Sequence, residues 1–185
     1  MTIPYSIQFF TDWHTGASLP KGQLNSTVIK DHDNFPYLPG RTMKGLLRDA
    51  ATQIHAIDPA KVTQSFIDDV FGRTEDQTRN RYDFADTSFT NAEMGQELRS
   101  AITTSNKPFL YRTLASTAIE KDGLAKDKSL RKLEVSIPLL LHGEIHGFPE
   151  KENYHSMLAH CFKWVKFLGL NRNRGLGRCL IQLTK

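Results

Sequence analysis

Three arginines, three glycines and two asparagines crowd one short stretch near the end of the chain: Gly169-Leu170-Asn171-Arg172-Asn173-Arg174-Gly175-Leu176-Gly177-Arg178. Guanidinium groups are permanently charged planar forks that match phosphate oxygens in pairs. Glycine lets backbone amides turn toward a ligand with no side chain in the way. Asparagine suits backbone bends and also hydrogen-bonds phosphates and riboses. The stretch sits between an apolar helical pattern and a strand-like run, Cys179 to Leu183. A loop of this make-up implies a grip on a polyanion, and a nucleic-acid backbone is the expected one.

Other side chains with chemical potential are scattered earlier. His14 lies in a turn, Asp12-Trp13-His14-Thr15-Gly16, and an imidazole titrates near neutrality. It can serve as a general base or order the turn by hydrogen bonding; the second role is expected. Asp31 and Asp33 are two carboxylates that lie close in sequence. Lys44 and Arg48 are spaced i, i+4 on a helical pattern, and Lys44 falls near a helix start, where amides favour phosphate. His142, Glu144 and His146 alternate along a strand and so share a face, expected to be solvent-facing rather than metal-binding. Trp13 can stack a base or plug the core edge. Cys161 and Cys179 lie in apolar segments, read as buried free thiols, and no nearby histidine has zinc-site spacing.

The elements that must position these groups follow from periodicity. The chain has 185 residues, 39% of them hydrophobic and 24% charged, which fits one folded domain and excludes wholesale disorder. A net charge of +4 favours an acidic partner. Ile3, Tyr5, Ile7 and Phe9 alternate as a first strand. A long polar loop, 12–39, follows, and loops of that length are usually functional. Pro39-Gly40 opens a helix with Met43, Leu46, Leu47, Ala50, Ala51 and Ile54 on one side. Asp58-Pro59 opens a second, closed by Gly72. Tyr82 to Phe89 reads as a strand, Ala92 to Ile102 as a short helix, Leu133 to Leu141 and Gly143 to Gly147 as strands, and Glu152 to Leu168 as a helix. The charged block 120–128 reads as an exposed hairpin or a mobile loop. The N-terminus lacks a signal-peptide pattern and no apolar run is long enough to span a bilayer, so a cytoplasmic protein with no membrane partner is expected. This order gives an α+β fold: a ferredoxin-like, RRM-like palm with helices on one face of an antiparallel sheet.

Three separated stretches, taken together, resemble the RAMP superfamily of CRISPR-associated proteins. They are the Asp12–Gly16 turn, the element Phe35-Pro36-Tyr37-Leu38-Pro39-Gly40-Arg41-Thr42-Met43-Lys44-Gly45-Leu46-Leu47-Arg48, and the glycine-arginine loop. Within the superfamily the chain looks most like the backbone subunits of type III effector complexes. The segment Arg112 to Glu134 resembles their thumb.

That resemblance implies a single RAMP domain over 1–185 with a thumb-like hairpin inserted at about 103–134. It implies binding to CRISPR guide RNA and target RNA, beside neighbouring copies or paralogous RAMP subunits in a multisubunit complex for antiviral defence. The residues expected to touch RNA are His14, Arg41, Lys44, Arg48, Asn171, Arg172, Asn173, Arg174, Gly175 and Arg178, the loop and the first helix forming two jaws. Family members that cut target RNA use Mg²⁺ and an aspartate in the loop after strand one. In the matching stretch, Gly22-Gln23-Leu24-Asn25-Ser26-Thr27-Val28-Ile29-Lys30-Asp31, that position is Asn25, which brings no charge to hold the ion. The expectation is therefore binding without cleavage, with no cofactor and no metal site. The alternatives are a metal-dependent endoribonuclease using Asp31 or Asp33, or a guide-precursor endonuclease using His14.

Overall fold

The computed structural model describes residues 1–16, 26–73, 86–121, 123, 124, 126 and 128–184. A five-stranded antiparallel sheet carries the core. Its central strand β1 (Ile3–Phe9) presents Ile3, Tyr5, Ile7 and Phe9 to the buried side, as their alternation requires. Helix α1 (Gly40–Ile57) buries Met43, Leu47, Ala50, Ala51 and Ile54 on that face, and α2 (Gln64–Phe71) adds Phe66, Ile67 and Val70. The chain then forms an edge in two pieces, β2 (Ser88–Phe89) and β3 (Glu93–Met94), followed by the short helix α3 (Gln96–Ala101). A separate two-stranded hairpin, β4 (Tyr111–Ser116) and β5 (Arg131–Ser136), interrupts the core before β6 (Leu140–His146), α4 (Tyr154–Trp164) and β7 (Cys179–Leu183) complete it.

The strand order is β2-β6-β1-β7, with β3 also on β6, and each pair is antiparallel. That is the ferredoxin-like order, with helices on one face. The opposite face carries His142 and Glu144, exposed, and His146, half-buried, in one row, as the alternation predicts. Each large apolar side chain buried in the core contributes roughly 1.5–3 kcal/mol. Tyr5 lies across the strand from Gly143, and a Cβ at 143 would stand 2.6 Å from its ring. The missing side chain is the space the ring fills. Cys161 and Cys179 are buried free thiols whose pKa burial pushes up to about 12.

Several boundaries differ from the sequence reading, each for a local reason. Helix α2 begins at Gln64, because Thr63 accepts the Phe66 amide at 3.3 Å as its N-cap. Asp58 closes α1 instead, donating its amide to the Ile54 carbonyl. The run Leu133 to Leu141 is two strands in two sheets, parted at Ile137-Pro138, since proline has no amide for a ladder. The stretch Ala92 to Ile102 divides between β3 and α3, and the last helix is shorter than Glu152 to Leu168. Tyr82 and Phe84, the start of the expected strand, lie outside the described residues, as does Asn25.

Candidate nucleic-acid interface

The glycine-arginine stretch is a loop bolted to the turn after β1. The Leu170 amide donates to the His14 carbonyl at 2.9 Å, and the Gly177 amide to the Asp12 carbonyl at 2.8 Å. Both contacts are made at left-handed backbone, φ +90° at Gly169 and +72° at Gly177. A Cβ at 169 would meet the His14 carbonyl oxygen at 2.2 Å, and one at 177 the Leu168 oxygen at 1.8 Å. Only glycine fits. These two residues hold the loop in place. Between them Arg172–Arg174 form one 3₁₀ turn that starts from a left-handed Asn171 and leaves Arg172, Asn173 and Arg174 exposed.

Facing this turn is the root of the hairpin. Ser26 bridges to Leu133, and together with Ser116, Arg131, Lys132 and residues 169–174 they line a groove of about 520 Å³. Four cationic side chains border it, Arg131, Lys132, Arg172 and Arg174, and among the described residues no carboxylate does. Glu134 fixes the hairpin root. Its carboxylate accepts the Val28 amide at 3.0 Å and pairs with Lys30 at 2.9 Å. Its own amide donates to the Ser26 carbonyl at 3.0 Å, and its carbonyl accepts from His14 Nδ1 at 2.6 Å. Lys30 Nζ also sits 3.8 Å from the Tyr111 ring centroid, a further tie to β4.

His14 is fully buried beneath the groove. Burial holds its pKa below the ordinary 6.5, against the smaller opposing effect of the Glu134 carbonyl. A carbonyl can only accept, so Nδ1 carries the proton and Nε2 receives the Ser26 hydroxyl at 3.0 Å. Trp13 is core: it is fully buried, stacks on Phe9 at 4.5 Å, and donates Nε1–H to the Ile137 carbonyl.

The first-helix residues lie elsewhere. At about 100° per residue, Arg41, Lys44 and Arg48 share one flank of α1 while Leu46, Asp49 and Gln53 take the other. It is the second flank that faces Arg172 and Asn173, across a hollow of about 460 Å³ that Trp164 and Phe167 also line. Lys44 donates to the Thr87 carbonyl at 2.7 Å, and burial, with Arg48 alongside, holds its pKa down. Arg41 is exposed and Arg48 half-buried. Arg178 continues the outward alternation of Leu180 and Gln182 toward the open sheet face. The loop and the first helix are therefore two separate basic places.

The sequence profile of the RAMP superfamily matches residues 6–179. The chain belongs to the RAMP superfamily. No curated protein sequence matches it. Among solved structures, a chain of the type III-B Cmr-beta complex bound to cognate target RNA superimposes with a TM-score of 0.70 at 10% identity, over 99% of this chain and 97% of that one. A chain of the type III-B Cmr-beta complex in its apo state gives 0.72 at 11% identity, over 100% and 98%. At such identities the likeness is one of fold.

In this RAMP chain the most recognisable element, Phe35 to Arg48, is chiefly scaffold. Leu38 exchanges backbone hydrogen bonds with Ala92 at 2.8 and 3.0 Å, and the Gly40 amide donates to Asn91 Oδ1. A Cβ at 40 would stand 1.9 Å from the Phe89 oxygen. The element pins α1 against the sheet edge. Asp31 is likewise engaged: Oδ1 accepts the Asp33 and Phe35 amides at 2.9 Å, and Oδ2 pairs with Arg99 at 2.7 Å. Arg99 also reaches Asp33 and Glu93. Reading the sequence missed Ser26, Arg131, Lys132 and Glu134 as site residues. Arg131-Lys132, next to the strand pattern from Leu133, was the signal available, but nothing local aims it at Arg172. Among the described residues, no helix is long and apolar enough to cross a membrane.

Proposed function

We propose that this chain is a guide-RNA-binding backbone subunit of a type III CRISPR effector complex, working in the cytoplasm beside other RAMP subunits. The RNA backbone runs along the groove between the 172–174 turn and the hairpin root. The observation that carries this reading is the groove itself: Arg131, Arg172 and Arg174 border it, and none of the three forms an ion pair among the described residues. Membership of the RAMP superfamily and the whole-length fold likeness to a Cmr-beta chain support it. The β4–β5 hairpin, with Leu114, Ile119 and Leu130 exposed, is the thumb of this proposal, pressing apolar side chains between guide and target bases. Arg178, and Arg41 with Lys44 and Arg48, would meet RNA at other points of the path.

Binding without cutting is the favoured role. Asn25 stands where family nucleases carry aspartate. The carboxylate of Asp31 is engaged by two amides and an arginine, and His14 is buried with both nitrogens hydrogen-bonded, so neither is poised for chemistry. The test is guide-length RNA mixed with the full chain, read by fluorescence anisotropy across a salt series and by light scattering. Salt-sensitive binding and assembly along the RNA are expected. Mg²⁺-dependent cleavage of a matched target that disappears in Asp31→Ala would overturn the non-catalytic part.

A further inference from the structure

The Ser26 hydroxyl is a neutral side-chain group of the groove whose hydrogen has a fixed direction. His14 Nδ1 lies 2.6 Å from the Glu134 carbonyl oxygen, an acceptor only, so the proton is on Nδ1 and Nε2 is a lone pair. Nε2 lies 3.0 Å from Ser26 Oγ, so the serine hydrogen points inward to the buried imidazole. What Ser26 turns toward the groove is therefore lone pairs alone. A phosphate oxygen placed there is repelled, and a donor is attracted. Gly16 stands beside this pair: a Cβ there would be 3.4 Å from His14 Nε2 and 3.8 Å from Ser26 Oγ.

We infer that Ser26, oriented by His14, accepts a hydrogen bond from a ribose 2′-hydroxyl and so distinguishes RNA from DNA in this groove. The inference rests on the proposed path of RNA along it. Arg131, Arg172 and Arg174 take the phosphates, which carry no information about the sugar. The ribose follows one bond-length scale behind, and its 2′-hydroxyl is the donor that separates the two nucleic acids. His14 acts through Ser26, as a positioning residue.

The test compares single-stranded RNA with the same sequence carrying 2′-fluoro sugars, which keep an RNA-like pucker but cannot donate. Both probes are titrated into the full chain and into Ser26→Ala and Gly16→Val, with thermal melting to confirm each variant folds. Wild type is expected to bind RNA roughly tenfold more tightly than the 2′-fluoro strand, one hydrogen bond's worth. Ser26→Ala should bind both strands as weakly as wild type binds the fluoro one. Gly16→Val, which covers the hydroxyl without removing it, should lose the same discrimination. Equal binding of both strands by wild type, or discrimination that persists in Ser26→Ala, overturns the inference while leaving the groove intact. Failure of wild type to bind either strand overturns the RNA path itself, and this inference falls with it.

Discussion

Two arginine sites of this molecule use the same residue types to opposite ends. At Arg99, three carboxylates, Asp31, Asp33 and Glu93, converge on one guanidinium whose side chain is only 14% exposed. The guanidinium charge is more than matched, and the cluster ties the loop before α1 to helix α3. At the groove, Arg131, Arg172 and Arg174 are exposed, and none forms an ion pair among the described residues. Positive charge is left standing on a rigid backbone. The contrast teaches that an arginine's role is set by which carboxylates the fold brings within about 4 Å of it, where each is worth on the order of 1–4 kcal/mol. One site holds the protein together; the other is available to a partner.

The sharpest way to break this contrast is to remove the rigidity of the available site. Gly177→Ala places a Cβ against the Leu168 carbonyl at a left-handed residue, where Gly175→Ala at φ +85° meets nothing within 4 Å. The first is expected to cost roughly 3 kcal/mol or more, from strain plus overpacking, and the second about 1 kcal/mol. Urea unfolding of both measures it; equal losses would mean that the loop is not held from beneath. Next in size, Arg99→Ala strands Asp31, whose side chain is 12% exposed, beside two like charges. A loss of about 2–4 kcal/mol is expected with RNA affinity unchanged in whatever fraction stays folded. A drop in affinity at full folding would erase the division between the two sites.

The fold was legible because its signals are local. Ile3, Tyr5, Ile7 and Phe9 alternate, and the α1 stripe keeps helical spacing, so each announces its buried side without knowledge of the rest. The site was legible only by half. Arg172 and Arg174 stand out by density, but their opposite wall, Arg131 and Lys132, is joined to them through long-range bonds of Glu134, Ser26 and His14 that no short window contains. Asp31 misleads for the converse reason: its partner Arg99 is far away in sequence, so a spent carboxylate reads as a free one. Trp13 stayed open between base stacking and a core plug because nothing local reveals that Phe9 and Ile137 enclose it.

The remaining predictions sharpen the contrast. Arg172→Ala and Arg174→Ala should leave stability within about 0.5 kcal/mol. Each should weaken RNA binding roughly three- to tenfold and lower the slope of log affinity against log salt by about 0.7, the single-strand value per phosphate. Anisotropy at three salt concentrations reads both numbers. A loss of affinity with an unchanged slope would mean that these arginines touch bases or protein instead of phosphate.

The smallest expected effect probes the floor of the groove. Burial keeps His14 neutral by lowering its pKa below 6.5, so below that pH the unfolded chain binds a proton that the folded chain refuses. Stability rises with pH wherever the unfolded state holds more protons. The contribution is therefore whole above about pH 6.5 and drains as the pH falls toward the folded value. His14→Gln has no such proton to refuse. The gap in unfolding free energy, read from urea curves of wild type and His14→Gln, should narrow from pH 7.5 to pH 5, by less than about 1 kcal/mol. A gap that widens in acid would mean that His14 is charged in the folded protein, with both ring nitrogens donating. Ser26 would then accept from His14 and turn its hydrogen toward the groove, where phosphate and not ribose would meet it.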